Sequence, residues 1–199
     1  MIQTLRRGGL TMNKKRMSIY DICLIGVFTA IICVLGQIRI PMPYGVPMTL
    51  QTFAIPLAGM ILGAKKGTIS TLIYLILGAI GAPVFAGFSG GFGIVIGPTG
   101  GFILSFPIMA LTAGIGADTG KKSWAMLGVI LGAVINYLCG MLMFSLVTSN
   151  SLSVAFAACV LPFIPTAVFK MVLAFVLGLN IKNVLVKGKL LEQIHLTSR

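Results

Sequence analysis

The sequence predicts an all-α fold: an integral membrane bundle of six transmembrane helices with a glycine-rich outer loop between helices 3 and 4. Three observations predict it. Of 199 residues, 57% are hydrophobic and only 9% charged, against roughly 25% charged in a soluble domain. Fifteen Lys and Arg face only 3 Asp and Glu, a net charge of +12, and many of these cations sit at the ends of apolar runs. Residues 78–102, GAIGAPVFAGFSGGFGIVIGPTGGF, carry nine glycines, two prolines and no charge, between strongly apolar flanks.

Residues 1–17 form a basic cytoplasmic N-terminal segment with Arg6, Arg7, Lys14, Lys15 and Arg16. The apolar run that follows is too long for a signal-peptide core and has no clear cleavage site, so it stays as helix 1, about 19–37. Gly26 and Ala30 on it are spaced as small-xxx-small, a pattern that lets another helix approach closely. In QIRIPMPYGVPMTLQT, residues 37–52, Pro41, Pro43 and Pro47 rule out a regular helix. Helix 2 starts at Gln51 and Thr52, ends at Gly63, carries Pro56 and is closed by Lys65 and Lys66. Its shortness predicts tilting or kinking. Helix 3 covers about 67–81, helix 4 about 99–117, and helix 5 about 124–147, opened by the interfacial Trp124. Residues 152–164 form a short helix broken at Pro162 and Pro165. Helix 6 starts near Pro165, where Pro suits a first turn, and ends near Asn180. The chain from Lys182 to Arg199 is basic and suits an interfacial helix. The membrane domain spans 18–185, and 186–199 is a basic cytoplasmic tail.

Orientation follows from the charges. The N-terminal segment, the 2–3 loop (Lys65, Lys66), the 4–5 loop (Lys121, Lys122) and the tail (Lys182, Lys187, Lys189) are basic. The 3–4 and 5–6 connections carry no cation, and the 1–2 connection carries only Arg39. The positive-inside rule then puts both termini in the cytoplasm and the glycine-rich segment outside. The same rule, with anionic lipid, accounts for the basic balance. Membrane lipid is therefore an expected partner and nucleic acid is not.

Glycine and proline disfavour a helix interior, and irregular backbone at membrane depth is tolerated only where protein buries it or a cavity receives it. Residues 78–102 therefore read as a loop folded back into the bundle over a small molecule. A flexible outer loop is the alternative, but it would leave Val84, Phe85, Phe88 and Phe92 in water.

Three carboxylates leave little for catalysis. Asp21 opens helix 1, Asp118 lies in an inner turn and Glu192 in the tail, none beside a His or Ser in mid-membrane. No catalytic residue and no enzyme activity are expected. A GxxxxGK[ST] phosphate loop is missing, so any ATP-driven step belongs to another protein. Cys23, Cys33, Cys139 and Cys159 lack metal-ligand spacing and read as small hydrophobes. With a single His195, neither metal nor cofactor is expected.

Lys170 is the exception, flanked by apolar residues in PTAVFKMVLAFVLG. Twelve residues separate it from Lys182, roughly 18 Å of helix, against a hydrocarbon core of about 30 Å. It should lie in the outer half, where a cation marks a functional site if it faces a cavity. Snorkelling to the outer interface is the other reading. Gln51, Thr52, Tyr74, Thr99, Asn136 and Tyr137 are further polar groups in or beside spans. Such groups orient a ligand in an apolar pocket or bond helix to helix, and both readings stand. Phe85, Phe88 and Phe92 are candidate pocket walls or ordinary packing. Arg39 reads as an interfacial anchor.

PMPYGVPMTLQT, GAIGAPVFAGFSGGFG, GPTGGF and PFIPTAVFK resemble the signatures of the BioY family, the biotin-capturing S components of energy-coupling factor (ECF) transporters. The resemblance covers roughly residues 18–185. It implies high-affinity biotin binding on the outer side of the bacterial cell membrane. It also implies assembly with an ECF transmembrane coupling protein and two ATPase subunits. Gly26 and Ala30 fit the family's small-residue slot for the coupling protein. The glycine-rich loop would be a lid over biotin, with Val84, Phe85, Gly90, Gly91 and Phe92 near the ligand, and Lys170 would contact its head. One position departs: where the family commonly has an acid three residues before this Lys, this chain has Ala167. An S component for another vitamin, a self-sufficient facilitator and an intramembrane enzyme are the competing readings.

Overall fold

A computed structural model describes residues 17–42 and 45–188. The basic cluster from Arg6 to Arg16, the tail residues from Lys189 onward and Pro43 lie outside the described residues. Among the described residues the chain is mostly helical, with one small hairpin and an irregular glycine-rich stretch from residue 80 to 91. The helices are α1 (Ile19–Gly36), α2 (Gln51–Ala79), α3 (Phe92–Val95), α4 (Gly100–Asp118), α5 (Lys122–Thr148), α6 (Leu152–Cys159) and α7 (Ile164–Lys187). Five helical stretches are long and apolar enough to cross a membrane, with Leu152–Lys187 counted as one.

α1 begins in a capping box: the Ser18 hydroxyl accepts from the Tyr20 N–H, and the Asp21 carboxylate accepts from the Ser18 N–H at 3.2 Å. Past Gly36 the proline-rich segment does not run as plain coil. It forms an antiparallel hairpin, β1 (Arg39–Ile40) on β2 (Met48–Thr49), with Arg39 opposite Thr49. Two-residue strands leave no periodicity for a sequence to display.

The expected helices 2 and 3 are the two arms of α2, and the first ends at Gly63 as expected. Helical structure runs through Lys65 and Lys66, but Gly63 breaks it at φ 82°, ψ 172°, a conformation open essentially to glycine alone. A Cβ placed on Gly67 would lie 2.6 Å from the Gly59 Cα, whereas eight residues of straight helix span about 12 Å. The arms therefore fold back on each other. The Asp118 carboxylate accepts from the Ala64 N–H at 2.9 Å and from Lys182 at 3.0 Å. Asp21 pairs with Lys66. These contacts gather the bend of α2, the start of α1, the end of α4 and the last third of α7 at one basic end of the bundle.

α4 is the central helix. Gly59 meets the Ala110 backbone, Gly114 meets Ala64, and Gly128 of α5 meets the Thr112 backbone, each too close for a Cβ. Small residues at crossings let membrane helices pack backbone to backbone. α5 ends at Ser149 in a left-handed conformation. α6 and a 3₁₀ turn, Leu161–Phe163, lead into α7, which runs seven residues past the expected end at Asn180.

Candidate functional site

The end of the bundle opposite the basic contacts holds a cavity of about 230 Å³. The glycine-rich segment roofs it on one side. Phe85 and Ser89 exchange backbone hydrogen bonds, and the Gly91 N–H donates to Gly78 O at 2.7 Å. Phe85 is 1% exposed, with its ring edge-on to Tyr74. The ring occupies the space that a Cβ on Gly78 would need, so glycine there seats the lid. Ala86, Ser89 and Ile94 also line the cavity from this segment.

The hairpin and the start of α2 supply a polar wall of Thr49, Gln51 and Thr52. Phe102, Ile103 and Phe106 of α4, Tyr137 of α5, Cys159 and Phe163 form the apolar wall. Thr99 lies at the mouth of α4 and also lines the cavity. An apolar chamber with a few fixed polar groups is the usual make-up of a small-molecule site.

Lys170 of α7 reaches this chamber. It is 7% exposed, and its ammonium donates to Thr52 Oγ1 at 2.7 Å and to Thr49 O at 3.1 Å. Those oxygens satisfy two of its three N–H groups. No Asp or Glu lines the cavity among the described residues. A chain of bonds runs from this wall to the lid: the Thr49 hydroxyl donates to Gln51 Oε1 at 2.9 Å, Gln51 Nε2 donates to the Tyr74 hydroxyl, and that hydroxyl donates to Val84 O at 3.2 Å.

The sequence profile of the BioY family matches residues 12–187. The chain belongs to the BioY family. Curated members include the probable biotin transporter BioY of Pyrococcus horikoshii, 41% identical over 81% of this chain and 96% of that one. The biotin transporter BioY of Thermotoga maritima is 35% identical over 79% and 93%. Among solved structures, the S-component for biotin from an ECF-type ABC transporter superposes with a TM-score of 0.78, at 27% identity, covering 84% of this chain and 95% of that one. The chain is a multi-pass membrane bundle of this family.

Of the residues singled out from sequence, Lys170, Gln51, Thr52, Phe85 and Thr99 share the BioY cavity. Tyr74 is fully buried behind Gln51, and Val84 contributes its carbonyl to the lid's anchor. Gly90 packs on the Ala82 backbone, and Gly91 turns the chain into α3 at φ 112°. Phe92 is 64% exposed and Phe88 74%. Asn136 is buried between α5 and α4, donating to Phe102 O at 2.9 Å and Ser105 Oγ at 2.8 Å, so it braces the wall from behind. Gly26 faces open space and Ala30 is exposed on α1.

Two contributors escaped the sequence reading. Gln37, at the C-cap of α1, holds both sides of the lid turn: its Nε2 donates to Val84 O at 3.0 Å, and its Oε1 accepts from the Phe88 N–H at 2.6 Å. A lone amide between an apolar helix and a proline-rich stretch was its only signal. Arg39, read as an interfacial anchor, also lines the cavity.

Proposed function

We propose that this chain captures biotin with high affinity at the outer face of the membrane and delivers it to an ATP-driven ECF transport module. The roofed cavity with Lys170 in its wall carries the reading, and membership of the BioY family supports it. Burial of the ligand's apolar parts against Phe85, Phe102, Phe106 and Phe163 would supply most of the affinity. Polar groups would select the head. Ala167 is buried one turn before Lys170 and does not line the cavity. Ureido N–H groups would therefore find their acceptors among neutral oxygens of Thr49, Gln51, Thr52, Ser89 and Thr99. Lys170 would give its remaining N–H to the ureido oxygen.

The partners proposed are an ECF transmembrane coupling protein and two ATPase subunits. The open space over Gly26 and the exposure of Ala30 favour α1 as the docking helix. The gathering of Lys66, Asp118 and Lys182 at the end away from the cavity favours that end as cytoplasmic, with both termini there. Equilibrium binding of biotin, desthiobiotin, thiamine and riboflavin to the purified protein tests the assignment. Tight binding of the first two is expected, and failure of both to bind excludes it. Uptake by vesicles carrying this chain alone would point instead to a self-sufficient facilitator.

A further inference from the structure

The cavity contains two cations and, among the described residues, no acid to balance them. They differ in depth and commitment. Lys170 is buried and already bonded to Thr49 and Thr52. Arg39 is exposed at the mouth. Its guanidinium lies flat against Gly87 of the lid, in the space a Cβ there would take. Among the described residues it has no hydrogen-bond or ion-pair partner. The hairpin register sets it directly across from Thr49, whose carbonyl receives Lys170 from the other side. One strand pair thus spaces a committed inner ammonium from an uncommitted rim guanidinium. Five donors in a planar fork match a carboxylate with two parallel bonds.

We propose that Arg39 binds the free carboxylate of the ligand at the cavity mouth. The ligand then enters head first, and the site selects free acids over amides and esters. Because the guanidinium also touches Gly87, a bound carboxylate ties the hairpin to the lid and closes the mouth over the apolar chain. The proposal rests on the biotin reading and deepens it by fixing the ligand's direction and its recognised end.

The test compares biotin with its primary amide on the purified full chain, in wild type, Arg39→Gln and Arg39→Lys. Wild type is expected to prefer the acid by about ten- to hundredfold, the range for a hydrogen-bonded charge. Arg39→Gln should bring biotin down to the level of the amide and leave the amide's own affinity unchanged. Arg39→Lys should recover part of the preference. Equal loss of acid and amide in Arg39→Gln would overturn the proposal and make the residue a brace for the lid. Unchanged biotin affinity would also overturn it, leaving Arg39 as an interfacial anchor for lipid phosphate. Wild type that binds neither compound would bring down the biotin reading, and this proposal with it.

Discussion

Lys170 was visible in the sequence because a lone cation inside an apolar run is costly in hydrocarbon. The structure separates the two readings it admitted: the ammonium turns inward to Thr49 and Thr52. Lys170→Ala is expected to weaken biotin binding about ten- to hundredfold, as loss of a hydrogen bond to a charged group would. Expression should stay near normal. Isothermal titration of the purified variant checks this, and an unchanged affinity would remove Lys170 from the site. Other polar residues were less legible. Gln51 and Thr99 line the cavity, while Tyr74 and Asn136 bond to neighbouring groups behind it. All four lie in or beside apolar spans, and a one-dimensional pattern does not record which way a side chain turns.

At the scale of the element, one residue probes the lid and one the bend of α2. Gln37 holds the lid by its two faces, Val84 O and the Phe88 N–H. Gln37→Ala should release that turn and speed biotin dissociation by roughly tenfold, the equivalent of one to two net hydrogen bonds. Association should change little, and stopped-flow kinetics would separate the two. Gly63 bends α2 at a positive φ, and a Cβ there would sit 2.8 Å from Asp118 Oδ1. Gly63→Ala should cost about 1–3 kcal/mol from backbone strain alone, seen as a lower thermal midpoint in detergent. An unchanged midpoint would mean that α2 tolerates a side chain at its bend. Boundaries of the apolar helices could be read within a few residues, except the end of α7, because span length and proline positions are local. The hairpin Arg39–Thr49 could not. Two residues per strand are too few to show a pattern.

For the whole molecule, the ligand site and the proposed docking surface lie on different faces. The cavity sits between the lid, the hairpin and α7, while Gly26 and Ala30 look outward from α1. Gly26→Leu or Ala30→Leu should leave biotin affinity as in wild type and block co-purification with the coupling protein. Loss of biotin affinity would place both residues in the fold instead. Biotin at a hundred times its Kd should stabilise the wild type by about 2.7 kcal/mol through mass action, and Lys170→Ala much less at the same concentration. Thermal unfolding with and without ligand reads both.

The sequence by itself determined the membrane, the approximate helices, the alternation of basic loops and the position of one intramembrane cation. Each follows from composition or spacing within a single stretch. Only the tertiary structure decided that Arg39 meets Gly87, that Gln37 grips the lid and that Asp118 caps the bend at Ala64. Those contacts join residues 47 to 54 positions apart, and close packing between glycines at helix crossings, not local propensity, brings them together.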